Sequence, residues 1–209
     1  MLALLYGLGV GFAIAAPVGP VGLLCIRRTM HAGAVVGLMT GLGAALADAA
    51  YGVAVAGGFT LTPWMIDHQA AFRLVGALLL IALGVNSLHA FVVVSRVGSG
   101  SPTVPAPVRG RLAAFASTFA LTAVNPITFV SFVGVIAAIG PATAGAAFAL
   151  VVGVFLGSML WWTTLVMFVR WAHRFVPTER LRWIDLVTGV LLASIGGYLG
   201  LAVSHAWRA

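Results

Sequence analysis

The chain is short of charge. Of its 209 residues only 7% are Asp, Glu, Lys or Arg; lysine is absent and the acidic residues number four. A soluble domain carries about a quarter charged residues, so a water-soluble globular fold is excluded. Cysteine is nearly missing too. Cys25 stands alone, which rules out an intramolecular disulfide and any CxxC redox or zinc motif; it reads as a small apolar residue near the end of the first span. The five histidines show no HxxxH or HxxE spacing, so no metal site is expected. No acid, base and nucleophile cluster in the sequence, which argues against a membrane-embedded enzyme, and no cofactor is expected.

What is present is apolar: 62% of the residues are hydrophobic and the mean hydropathy is +1.13. The length accommodates about six membrane spans of roughly 20 residues each. Ala13-Ile14-Ala15 resembles a signal-peptide cleavage site, but the basic region that opens a signal peptide is missing. The apolar run continues past Pro20 to Ile26, so it is expected to be a retained span. The net charge of +7 would suit a nucleic acid. The basic residues are all arginines in short clusters between apolar runs, however, which is the pattern of cytoplasmic loops; the partners expected are the lipid bilayer and a small molecule, not nucleic acid.

The expected fold is all-α, with six transmembrane helices in two halves. Residues 1–95 hold spans at about 2–26 (closed by Arg27-Arg28), 33–57 and 74–94, with Pro63, Trp64 and Asp67 in the loop after the second. A linker at 96–111 follows, containing the Gly/Ser/Pro-rich run from Gly98 to Pro107. Residues 112–209 hold spans at about 112–139, 145–168 and 186–203, the first two separated by a turn at Gly140-Pro141-Ala142-Thr143. The loops after spans one, three and five carry nine arginines against two elsewhere, Arg73 and Arg208. Positive residues favour the cytoplasm, which places both termini in the periplasm of a bacterial inner membrane.

The halves resemble each other. Val75 to Gly84 lines up with Thr188 to Gly197, with glycines eight apart in each. Three spans is an odd number, so the second half enters the membrane from the opposite side, giving an inverted repeat. In transporters such repeats place the substrate near the midplane, between broken helices. Two breaks fit. Ala16-Pro17-Val18-Gly19-Pro20-Val21-Gly22-Leu23 interrupts span one, and Asn125-Pro126 interrupts span four at a similar depth. Each proline removes a backbone donor and clashes with the preceding turn, and the freed groups are tolerated only against protein or a watery cavity. A helix beginning after Pro20 would present a partial positive charge to a substrate carboxylate. Pro17, Gly19, Pro20, Gly22, Asn125 and Pro126 are therefore candidate substrate-binding residues, with Thr122 and Thr128 nearby.

Asp48 is the single charge in span two. An aspartate at mid-span costs on the order of 2.5–3.5 kcal/mol, so it is expected to face the bundle interior and to couple transport to a cation, a proton above all, or to hold a substrate amine. Tyr51 lies one turn on, on the same face. Aligning Gly43 with Gly153 sets Ser158 opposite Asp48 and Trp161 opposite Tyr51, with Trp162 beside it. Small residues recur every four positions from Gly33 to Ala49 and from Gly145 to Gly157. Such stripes bring helix backbones together, within one chain or across a homo-oligomer, and the pattern alone does not separate the two. Asn86 and His89 fall toward the cytoplasmic end of span three.

These residues together resemble a known family. Ala16 to Leu23 followed by Arg27-Arg28 is similar to the first-span signature of LysE/RhtB-type amino-acid exporters. Gly41-Leu42-Gly43 with Asp48, Leu121 to Pro126, Gly153 to Ser158 with Trp161-Trp162, and Arg182-Trp183-Ile184-Asp185 fit its later motifs. The resemblance covers nearly the whole chain. It implies a secondary exporter of amino acids or related metabolites in the cytoplasmic membrane, driven by a proton or ion gradient. One departure stands out: many members follow the second proline with a polar pair such as Asn-Asn, where this chain has Val21-Gly22, so its substrate is open. Divalent-metal export, seen in more distant relatives, and a non-transporting scaffold are the alternatives; hard cations want several oxygen ligands, and a scaffold leaves the paired breaks and Asp48 unexplained.

Overall fold

The computed structural model describes residues 1–17, 19–56, 68–97, 110–125, 128, 144–175 and 181–206. The expected features at Trp64, from Gly98 to Pro107 of the linker, at Pro126 and at Gly140 to Thr143 lie outside them. The described residues form seven α-helices: α1 (Leu2–Ala15), α2 (Pro20–Ala32), α3 (Ala34–Ala56), α4 (Gln69–Val97), α5 (Arg111–Ala123), α6 (Ala144–His173) and α7 (Leu181–Ala206). Stretches of α3, α4, α6 and α7 are each long and apolar enough to cross a membrane, and α1 with α2 makes a fifth candidate bent by 81°.

The bend follows from the sequence. Pro17 and Pro20 have no N–H to offer the carbonyls of Ala13 and Ala16, four residues before each, so α1 stops where the Ala16 amide bonds the Phe12 carbonyl. Gly19 then caps α2 with Pro20 at its first helical position, where the missing donor costs nothing. At the other end Gly33 takes a positive φ of 85°, a conformation that favours glycine, and the chain turns directly into α3. Neither α1 nor α2 spans a bilayer alone: 14 and 13 residues rise only about 20 Å each, against a hydrocarbon core of about 30 Å.

The first span was expected to close at Arg27-Arg28, with those arginines in a loop. Instead α2 continues to Ala32, and Arg27 and Arg28 are each 1% exposed. They are not loop charges; without them the arginine asymmetry is still seven against two. Helices α4, α6 and α7 also run past the ends read from hydropathy, into polar residues such as Gln69 and His173, while α3 keeps to its expected span.

Helix directions follow from which residues meet. A β-carbon on Gly153 would overlap the Leu4 carbonyl and one on Gly157 that of Leu8, so α1 and α6 run parallel. Gly43 meets Phe115 and Phe119, and Tyr51 meets Ala123, so α3 and α5 run parallel as well. Gly37 meets Val166, Gly41 meets Trp162 and Gly52 meets Val151, which makes α3 and α6 antiparallel. In α4 and α7, Gly84 meets Gly189 and Ala193 while Ala77 meets Gly196; these two are antiparallel also. The small-residue stripes thus pack helices within this one chain, with Gly196 rather than Gly197 at the α4–α7 contact.

Polarity is turned outward-in relative to a soluble protein. Leu78, Val85, Leu160, Phe168, Val190 and Leu201 are exposed, whereas Arg28, Thr40, Asp48, Thr118, Ser158 and Asp185 are buried. Exposed apolar side chains over a polar interior suit a lipid solvent.

Candidate functional site

The site is built where α3 and α6 cross. Asp48 is 4% exposed and Ser158 fully buried. The Ser158 hydroxyl donates to Asp48 Oδ2 at 2.8 Å, and one turn further along α6 the Trp162 indole Nε1–H donates to Ser158 Oγ at 3.2 Å. The carboxylate is therefore aimed into the bundle and oriented by a short relay. Tyr51, one turn beyond Asp48, donates its hydroxyl to the Ala123 carbonyl at 2.5 Å. That carbonyl belongs to the last turn of α5, where carbonyls have no intrahelical donor.

Helix α5 stops there because Asn125 precedes Pro126, and a residue before proline is pushed out of the helical region. The Asn125 amide bonds back to the Thr122 carbonyl at 3.1 Å. Thr122 is 6% exposed, and its hydroxyl finds no hydrogen-bond partner among the described residues. Pro126 lies outside the described residues, and the side chain of Thr128 is half-buried.

The other break comes to the same level. Arg28 of α2 meets Ala114 and Thr118 of α5, and Leu24 clusters with Leu121. This antiparallel register sets Pro20–Val21 level with Val124–Asn125. Gly22 is buried, Gly19 and Pro20 are half-buried, and Pro17 is exposed at the bend. Of the expected residues, then, Asp48 and Ser158 are joined directly, and Tyr51 bonds the last turn of α5 two residues before Asn125. Trp161 does not join them: it is half-buried with its ring edge-on to Phe12, centroids 5.4 Å apart. Trp162 takes the inner place. The one-for-one alignment of the halves put Trp161 opposite Tyr51, but position 162, four after Ser158, is the one that shares its helix face.

Sequence reasoning missed a buried charged layer one to two turns away. Arg28 Nη1 donates to Thr40 Oγ1, Thr118 Oγ1 and the Ala114 carbonyl, and its Nη2 to Ser117 Oγ, at 2.8–3.2 Å. Arg27 Nε donates to Asp185 Oδ1 at 2.5 Å, and His31 Nε2 lies 3.1 Å from the same oxygen. A signal was available. Gly33 is a stronger helix stop than an arginine pair, and a helix running to Ala32 carries both arginines inward. Asn86 and His89 are exposed on α4 and stand apart from this cluster. Among the described residues no three His, Cys, Asp or Glu side chains cluster as metal ligands.

A model of the LysE type translocator family matches residues 12–202 of the chain. No match was found among curated proteins or among solved structures.

Proposed function

The chain belongs to the LysE type translocator family, whose members are transporters and not enzymes, and from that premise we propose that it exports amino acids or related small metabolites across the cytoplasmic membrane, driven by a proton or ion gradient. The observation that carries the reading is the buried Asp48 carboxylate, hydrogen-bonded to Ser158 one turn before Tyr51 bonds the last turn of the interrupted α5.

The chemistry suits a zwitterion. The N-terminus of α2, at Gly19–Pro20, carries partial positive charge and unbonded N–H groups for a carboxylate. The C-terminal end of α5 carries partial negative charge, and Asp48 adds a full one; together they suit an ammonium group. The Thr122 hydroxyl, unpartnered among the described residues, is a further contact. In the coupling step a proton competes with the substrate amine for Asp48.

An inverted repeat underlies the site in this reading. Exchanging span one with four, two with five and three with six turns the parallel α1–α6 pair into the parallel α3–α5 pair, and it leaves the antiparallel α3–α6 and α4–α7 pairs unchanged. Asp48 and Ser158, aligned positions of the two halves once Gly43 is set on Gly153, then meet across the exchange axis, and their hydrogen bond supports the repeat. A divalent-cation exporter is disfavoured, because among the described residues Asp48 has one hydroxyl beside it and no second carboxylate.

The test is metabolite efflux. Cells with and without the protein are compared for accumulated amino acids, and the compound found is followed in everted vesicles under an imposed gradient. Asp48→Asn should insert and fold normally yet lose gradient-driven transport. Unchanged transport would reject the coupling role of Asp48.

A further inference from the structure

The helices fall into two groups by the way they touch. Within each group helices approach closely at glycines: Gly153 and Gly157 between α6 and α1, Gly43 between α3 and α5, Gly41 of α3 against the Trp162 β-carbon of α6, which joins those two pairs, and Gly84 and Gly196 between α4 and α7. At each of these a β-carbon would overlap the facing helix, so the paired helices are locked in register. Between the α4–α7 pair and the rest, contact is of another kind. Leu24 of α2 and Leu121 of α5 cluster with Leu80 of α4 and Leu192 of α7, and a β-carbon added to Gly76 of α4 would stand an ordinary 3.6 Å from a Val124 methyl. Interlocked backbones move as one body, whereas a surface of branched apolar side chains allows the small sliding of packed helices.

A buried ion pair closes one end of that surface. Arg27 reaches from α2 to Asp185 near the start of α7. The pairing is single-pronged: Arg27 Nη2 and Asp185 Oδ2, the atoms that would complete a bidentate fork, are both buried and unpartnered among the described residues. A half-made fork forgoes the strength of the bidentate arrangement. Separation into water would return the hydration that burial removed from both charges. Arg28 points the opposite way, and its four hydrogen bonds to α3 and α5 keep α2 with the larger group.

We propose that the α4–α7 pair moves as a single body against the remaining helices, and that Arg27–Asp185 is the latch holding the two bodies together on the arginine-rich side. This gate rests on the transport reading, since it closes a path to Asp48 from that side. Leu24, 1% exposed at the sliding surface, is uncovered when the latch opens. Cys25, fully buried inside the larger group with Trp162 and Val166, is not.

The experiment measures labelling of the full-length protein in membranes by a permeant maleimide. The reporter is Leu24→Cys in a Cys25→Ala background; the control is the native Cys25. With Asp185→Asn the reporter should label at least about tenfold faster than with Asp185 intact, since an unpaired buried arginine favours the open arrangement. Native Cys25 in the Asp185→Asn protein should stay as protected as in the parent, and Asp185→Glu, which keeps the charge, should leave the reporter slow. A reporter that labels no faster overturns the latch. Equal acceleration at Cys25 overturns it as well, because it signals loss of the fold and not two bodies parting. Labelling needs no substrate, so absent efflux with the expected labelling would remove the transport reading and leave the moving pair in place.

Discussion

Ser158 is bonded on two sides, giving its proton to Asp48 and accepting one from Trp162, so its loss disturbs both. Ser158→Ala leaves a buried carboxylate and a buried indole N–H without their partner, a penalty of about 1–3 kcal/mol for each group left unsatisfied. The purified variant is expected to melt earlier than the parent, and efflux to fall, while Ser158→Thr, which keeps the hydroxyl, recovers most of both. Arg28 makes a parallel case. Arg28→Lys keeps the charge, but a single ammonium cannot reach all four acceptors on α3 and α5 at once, and losing even one charge-assisted bond costs about 1.5–3 kcal/mol; denaturation in detergent reads this directly. Asp48 and Ser158 were legible in the sequence because a carboxylate is expensive in a span and the halves align there. Arg27, Arg28 and Asp185 were not, since arginine beside an apolar run is most often a loop residue and a partner 158 positions away leaves no local trace.

At the scale of elements, glycine decides which helices pair. A β-carbon at Gly153 would meet the Leu4 carbonyl and the Gly7 backbone, neither of which can swing aside. Gly153→Ala is therefore expected to destabilise by about 1–3 kcal/mol through overpacking, visible as a lower melting temperature and a smaller folded yield. Gly9, with nothing near its added β-carbon, provides the contrast: Gly9→Ala should be neutral or gain a few tenths of a kcal/mol from helix propensity. The recurring small residues announced close packing, but not the partner. One four-residue stripe suits a neighbour in the same chain or in a second copy, and only the facing Leu4 and Leu8 backbone identifies α1. The break in span one was legible from its prolines; the direction of the bend was not, because proline removes bonds without specifying what replaces them.

For the whole molecule, the pairing directions bear on topology. α1 and α6 parallel, with α3 antiparallel to α6, is what alternating crossings require, if the first and fifth spans traverse the membrane in one sense. The arginine distribution leads to the expectation of six crossings with both termini outside; if so, alkaline phosphatase fused after Ala209 is active and a green fluorescent protein fused there dark, and the reverse result would overturn that expected orientation. The same pairing sets an order of events during synthesis. Gly7 and Gly11 face residues 150–154, so the first helix enters the membrane long before its partner exists. At about 5–20 residues per second, the intervening stretch of some 145 residues takes roughly 7–30 s to make. For that interval the first helix has an unfilled groove and no mate. Its retention then rests on its own hydrophobicity and on lipid or insertion factors, and a chain released before α6 leaves that groove permanently open for quality control to recognise.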